Sequence, residues 1–295
     1  MLVAANILGG MEYSLREART SDKERLAPWT SHTFAWGDYV VDSFDGWMAQ
    51  PQSRVLVAAD DTDEPVAVAR GVLLSVDELW LQGVRVHPDW RRKGIASDLG
   101  SALQEWGASQ GAKVAQLMAE DWNVAARGQV QRIGFRQTAR WLRAFQTTEH
   151  SGRRGATPIR PAEPLQRAGV AEAGPAYYAW SAGELSRLAR RMMAVNWQWR
   201  RLHPADLERA ADHGALFAGP TGWAVAAPRD NYLEVGWIQT TADRASEHLA
   251  ALLAVAGAEQ ATALEIMAPA VPWLEQAASG AGFELESLIL YEKAL

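Results

Sequence analysis

The sequence predicts an α/β fold of the α+β kind, with a mixed, mostly antiparallel twisted sheet flanked by helices and built twice in tandem. Three observations carry that expectation. Strand-like and helix-like segments alternate along most of the 295 residues, and their order in the second half repeats that of the first. The stretch Gly107 to Ala119, GASQGAKVAQLMA, aligns with Gly257 to Ala268, GAEQATALEIMA, with one deletion. The pair Gly134–Phe135 aligns with Gly282–Phe283 at nearly the same offset. A spacing this long means a duplicated domain and not a solenoid.

Each element has its own signal. Residues 1–10 read as a disordered extension, with Met11 a natural start, because Tyr13 to Ala18 alternates as a first strand. Thr20 or Ser21 precedes an acidic first turn and reads as an N-cap. Helix and loop follow, ending at Pro51. Residues 53–75 are two apolar runs around an acidic turn, hence a hairpin, and Glu78 to Val86 adds a third strand. Leu99, Ala102, Leu103 and Trp106 recur at helical spacing. Residues 112–120 are apolar on both faces and read as a central strand. Asn123 opens a helix that stops at Gly134, and 135–146 is strand-like. A polar stretch rich in glycine and proline at 149–165 reads as a linker between domains at 1–148 and 166–295. Beyond it come helical stretches near 182–195 and 204–213. Three short strands, a helix, a strand, a helix and a closing strand complete the chain.

Composition narrows the chemistry. With 48% apolar residues a sizeable core is expected. Cysteine is absent, so disulfides, a thiol nucleophile and thiolate metal sites are excluded. A net charge of −6 argues against general nucleic-acid binding. No apolar run reaches the length of a membrane span, and a soluble, cytoplasmic protein is expected. His32, His87, His150, His203, His213 and His248 show no ligand-pair spacing, so no metal is expected.

One stretch stands out: Val86 to Leu103, VHPDWRRKGIASDLGSAL. Arg91, Arg92 and Lys93 run directly into Gly94, and a helical pattern begins there. The first N–H groups of a helix lack intrahelical partners and carry the positive end of its dipole, so a phosphate fits. Gly94 permits unusual dihedrals and close approach, Ala96 is small, and three cations add charge-assisted contacts. A solvated basic turn is the plain alternative. The stretch lacks both the P-loop pattern and the three glycines of a dinucleotide fingerprint.

The pattern Arg91-Arg92-Lys93-Gly94-Ile95-Ala96, after a strand and before a helix, closely resembles the Q/R-x-x-G-x-G/A motif of the GNAT superfamily of N-acetyltransferases. Asn123 to Phe135 continues the resemblance, which covers Tyr13 to Ala144 well and the second half more weakly. It implies that Arg91, Arg92, Lys93, Gly94, Ile95 and Ala96 hold the pyrophosphate of acetyl-CoA, with Ser97 adding a hydroxyl. It implies that backbone at Val84, Arg85 and Val86 pairs with the pantetheine arm, and that Asn123 and Ala126 lie beside its end. The matching junction of the second half, WIQTTADRASEHL, has no glycine and one cation, Arg244, so that half is read as a degenerate copy.

The implied reaction is attack of a neutral amine on a thioester, which needs a route for one proton. Glu78 and Glu120 are the candidate bases, and Gln82 is placed to orient water. Period-two alternation puts Glu78, Trp80, Gln82 and Val84 on one strand face and Arg85 on the other. The tyrosine expected seven positions after Asn123 is Val130, so no tyrosine acid is named. Trp36, Asp38, Tyr39 and Gln82 are candidate acceptor contacts. The expected acceptor is a small-molecule amine, with an amino acid among the candidates, and the protein a monomer or homodimer. A protein N-terminal or lysine acetyltransferase, or a non-catalytic acyl-CoA sensor, are the competing readings.

Overall fold

The computed structural model describes residues 5–8, 11–31, 33–34, 37–148 and 163–295. Trp36 and nearly all of the expected linker lie outside the described residues. A mixed sheet flanked by helices is what forms, as the sequence predicts.

The chain begins with a hairpin of β1 (Ala5–Leu8) and β2 (Met11–Glu17). Residues 5–8 are therefore a paired strand, where the sequence reads as disordered extension. Then come α1 (Asp22–Thr30), α2 (Val40–Ala49), β3 (Ser53–Asp60), β4 (Pro65–Leu73) and β5 (Glu78–Val86). A short turn of helix at Pro88–Trp90 leads to α3 (Ile95–Ser109), β6 (Val114–Glu120), α4 (Val124–Arg132) and β7 (Arg136–Thr147).

The second half opens with β8 (Gln166–Arg167), α5 (Ala173–Ser181) and α6 (Glu184–Leu188). It continues with β9 (Met192–Val195), β10 (Gln198–Arg201), α7 (Pro204–Asp212), β11 (Leu216–Gly219), β12 (Gly222–Arg229) and β13 (Tyr232–Gln239). It closes with α8 (Ala245–Ala258), β14 (Ala263–Pro269), α9 (Pro272–Gly280) and β15 (Glu284–Ala294).

Two compact units form, and they interleave along the chain. The first takes the described residues up to Leu117 together with Gln131–Arg136 and Glu292–Leu295. The second takes Met118–Val130 and Gln137–Tyr291.

In the first unit β2, β3, β4 and β5 pair antiparallel in sequence order, and β5 pairs parallel with β6. One face carries α1 and α2: Leu26, Val40, Phe44 and Trp47 pack on Val55, Val57 and Val68. The other carries α3, whose buried Ile95, Leu99, Leu103 and Gly107 recur every four residues. A Cβ at Gly107 would come within 2.6 Å of Leu79 Cδ2, so the glycine lets α3 lie close on β5. Layers of this kind bury an apolar stripe on each side of the sheet.

In the second unit the strands run β15-β7-β14-β13-β12-β11-β8. Strand β7, from the first half of the sequence, pairs antiparallel with β14, Trp141 opposite Pro269 and Thr147 opposite Ala263. The helix expected over 182–195 ends at Leu188. Arg190 and Arg191 adopt left-handed φ values of 56° and 60°, and the chain turns into a β9–β10 hairpin. Its tip is Asn196–Trp197, both with positive φ, the conformation a two-residue hairpin turn demands.

Candidate active site

The basic stretch forms the connection from β5 to α3. Its geometry follows from one residue. Gly94 is the N-cap of α3 at φ 79° and ψ −9°, a left-handed conformation that costs a side-chain-bearing residue about 1–2 kcal/mol. A Cβ at Gly94 would meet nothing within 4 Å, so the space above the helix start is open. The N–H groups of Gly94, Ile95 and Ala96 have no backbone acceptor among the described residues, whereas Ser97 and Asp98 donate to the Gly94 carbonyl. Arg92 is also left-handed, at φ 64°. Arg91 and Arg92 are exposed, and Lys93 and Gly94 lie with them at the surface. The Lys93 ammonium stands 4.7 Å from the Trp90 ring centroid, a cation–π contact that holds it beside the turn. Arg91 Nε donates to the Val86 carbonyl at 3.2 Å, tying the loop to the end of β5.

Strand β5 changes character along its length. Glu78, Leu79 and Trp80 pair with Val114, Ala115 and Gln116 of β6, and the pairing ends there. Among the described residues of this unit, β5 from Leu81 onward pairs with β4 alone. At Gly83 the strand bulges: Gln82 faces Arg70 of β4, while Val68 faces Arg85. Gly83 has φ 70°, and a Cβ there would overlap the Trp47 ring, so only glycine fits.

The bulge overturns one expectation. Strict alternation puts Val84 with Gln82 and sends Arg85 to the opposite face. One inserted residue reverses the parity beyond Gly83, so Arg85 shares the α1–α2 face with Gln82 and Arg70. There Arg85 grips Asp38 with two bonds, Nε to Oδ2 at 2.5 Å and Nη2 to Oδ1 at 3.1 Å. Its guanidinium also stacks over Phe34 at 5.0 Å and Tyr39 at 5.3 Å. Asp38 further accepts the Val40 N–H at 3.0 Å and so starts α2. It holds the structure together at this point, with its charge spent on Arg85. Tyr39 is the exposed member of the group, edge-on to Trp47 at 6.0 Å.

Glu78 lies at the opposite end of β5, where the sheet is fully paired. It is 1% exposed and accepts a hydrogen bond from Ser75 Oγ at 2.9 Å. Roughly 26 Å of extended chain separates it from Val86, from eight residues at the strand rise. The structure therefore does not bring Glu78 to the basic loop. Gln82, half-buried beside the bulge, is the polar β5 side chain nearest the point where β6 pairing ends. Glu120, Asn123 and Ala126 belong to the second unit. There the Asn123 side chain accepts the Ala126 N–H at 3.2 Å and caps α4, and the Glu120 carbonyl accepts the Asn123 N–H. Among the described residues no cluster of metal-ligating side chains forms, and no helix is long and apolar enough to cross a membrane.

A sequence model described as the acetyltransferase (GNAT) family matches residues 22–135, the span from α1 to the turn before β7. This segment is a GNAT domain. The activity that goes with it is acyl-CoA-dependent N-acetyl transfer, and the family uses acetyl-CoA as co-substrate. Solved structures of GNAT proteins share the fold along almost the whole chain. A GCN5-related N-acetyltransferase from Sphaerobacter thermophilus superposes at TM-score 0.66 with 14% identity, covering 96% of this chain and 95% of that one. A putative acetyltransferase from Pyrococcus horikoshii gives 0.60 with 17% identity over 98% and 91%. The glucosamine N-acetyltransferase region of a fungal multi-domain β-N-acetylglucosaminidase gives 0.67 with 13% identity, over 98% of this chain and 39% of that one. No curated protein matches the sequence significantly.

Proposed function

We propose that the GNAT domain transfers the acetyl group of acetyl-CoA to the primary amine of a small molecule, with amino acids the first acceptors to test. The observation that carries this reading is Gly94: a left-handed N-cap with open space above it, three cations before it and, among the described residues, no backbone acceptor for the N–H groups that follow. A chain of phosphates needs that combination, and a simple solvated turn does not. Arg91, Arg92 and Lys93 supply charge, and the N–H groups of Gly94, Ile95 and Ala96 supply donors, with the Ser97 hydroxyl one residue further on. Backbone at Val84, Arg85 and Val86 is assigned to the pantetheine arm, because β5 has lost its β6 partner there. Acetyl-CoA, when bound, supplies a thioester carbonyl for the amine to attack.

The amine must shed a proton. Gln82 cannot accept it but orients a water at the bulge, and solvent takes the proton onward. We assign no base role to Glu78, on the strength of its buried place at the closed end of β5. The second unit is read as a degenerate GNAT copy without its own acetyl-CoA site. Its β13-to-α8 connection has no glycine, and Arg244 lies within ion-pair distance of Asp243 and Glu247.

The test is free-thiol release from acetyl-CoA by the full chain, screened against amino acids, polyamines, aminoglycosides and short peptides. Release dependent on one small-amine class supports the reading. Release with peptides alone makes it a protein acetyltransferase. Binding of acetyl-CoA without turnover on any amine makes it a sensor.

A further inference from the structure

We propose that Arg70 is a carboxylate-binding residue for the acceptor, so that the amine substrate carries an acid group. The proposal rests on the small-amine reading above. Its basis is a buried cation without a counter-charge. Arg70 lies on β4 and is 2% exposed. Its Nε donates to Ser53 Oγ at 2.8 Å, its Nη2 to Gln50 Oε1, and its guanidinium lies 5.3 Å from the Trp47 ring centroid. Every one of these partners is neutral. Among the described residues no carboxylate pairs with Arg70.

Other arginines of the same unit show what burial ordinarily requires. Arg16 is 8% exposed and binds Asp22 through two nitrogens and Asp63 through a third. Arg85 holds Asp38. Taking an ion from water costs several kcal/mol, which a carboxylate partner ordinarily offsets. At Arg70 the cost shows instead as a guanidinium pKa lowered to about 10 by burial, with the nearby Tyr39 hydroxyl acting against that.

The place matters as much as the charge. Arg70 faces Gln82 across the β4–β5 pair, beside the Gly83 bulge and past the last β6 pair. The same sheet face holds Arg85, and Tyr39 lies over it. Among the described residues, two cations and one carboxylate, Asp38, leave the group with one uncompensated positive charge. Tyr39 and Trp47 give it aromatic walls. A planar guanidinium fork with a single net charge suits one carboxylate. A phosphate would call for a second unspent cation, and Arg85 is already committed to Asp38.

The experiment uses matched acceptors, each an amino acid beside its carboxamide and its decarboxylated amine, with the full chain. Thiol release gives kcat/KM, and calorimetry on the protein with coenzyme A present gives acceptor affinity. The acid member of a reactive pair is expected to exceed its amide by about 30-fold or more, the scale of an unmet buried charge pair. Arg70→Gln removes that preference and leaves acetyl-CoA affinity unchanged, which also shows that the domain is folded. Arg70→Lys keeps the charge without the fork and retains part of the preference. If amides and acids react equally in the wild type, the proposal is overturned while the small-amine reading stands. If acids bind through Arg70 but no amine is acetylated, the carboxylate site stands and the acetyl-transfer reading falls. Absence of acid binding together with absence of acid-dependent turnover overturns the proposal. If both variants fail to fold, the wild-type comparison of acid with amide decides.

Discussion

The two units enter their longest helices by the same route and make different things of it. In the first, the chain leaves β5, passes Arg91, Arg92 and Lys93, and turns into α3 through left-handed Gly94. In the second, it leaves β13 and reaches α8 through Thr240–Arg244, with Arg244 as a right-handed N-cap. Arg244 lies 3.2 Å from Glu247 and 3.9 Å from Asp243, so the one cation there is engaged by acids. Faces differ too. The parallel β13–β14 pairing ends at Val235 and Ile266, as β5–β6 pairing ends at Trp80 and Gln116. Yet β9 lies against β13 there: a Cβ on Gly236 would overlap the Ala194 carbonyl oxygen. Shared element order thus goes with a sheet and its helices, while the strand-to-helix junctions differ in charge and backbone conformation. The first junction combines three cations, a left-handed glycine and open space, and the second has none of these together.

Four experiments break or sharpen this contrast. Gly94→Trp puts a bulky side chain on a left-handed position and closes the space above α3. Acetyl-CoA affinity should fall by at least about 100-fold in calorimetry, on the scale of losing several charge-assisted bonds. Thr241→Trp in the second unit should leave that affinity unchanged, and an equal loss there would mean the second junction also binds. Next come the two crowded glycines. Gly83→Ala meets the Trp47 ring and a positive φ, and Gly236→Ala meets backbone. Each should cost about 3 kcal/mol in urea unfolding, and unchanged midpoints would mean that bulge and hairpin are loosely packed.

The third concerns the second unit alone. His248 is fully buried, with Nδ1 3.0 Å from Thr221 Oγ1, and burial lowers its pKa to about 4 from 6.5. The native state binds this proton less readily than the unfolded chain. Stability is therefore full above pH 6.5 and is lost as pH falls toward 4, by up to roughly 3 kcal/mol from the one group. His248→Leu should flatten that slope in thermal melts taken between pH 7 and 4.5, and an unaltered slope would place the acid sensitivity elsewhere. The smallest effect on turnover is expected at the first unit's closed end. Glu78→Gln should keep thiol release within about threefold of wild type, as for residues outside the reacting group. A 100-fold loss at unchanged acetyl-CoA affinity would restore Glu78 as the base.

Much of this was legible in the sequence because it depends on local rules. The helical spacing of Leu99, Ala102, Leu103 and Trp106 marks α3, and a glycine after three cations marks its start. The aligned pairs Gly134–Phe135 and Gly282–Phe283 both turn a helix into a strand, with the glycines at φ 92° and 86°. The misses come from places where local rules are interrupted. Alternation fails across Gly83 because a bulge adds a residue, and a lone glycine inside a strand was the available signal. Met192 to Val195 carries on an apolar helical pattern but forms a strand, since Arg190 and Arg191 break the helix first. Glu78 stands on the part of β5 that pairs with β6, a placement that residue type does not encode. Arg70 gave no sequence signal, because its unpaired charge depends on what surrounds it after folding.

The interleaving of the units has a consequence for how the protein is made. Residues 137–147 emerge from the ribosome long before β14, the strand they pair with, and residues 292–295 of the first unit emerge after nearly all of the second. Domain-by-domain folding during synthesis, the usual protection for a long chain, is incomplete here at both ends. An early product waits with an unpaired strand at 137–147, a natural client for a chaperone. A gene cut at the apparent repeat boundary would yield two pieces, one carrying a strand that belongs to the other.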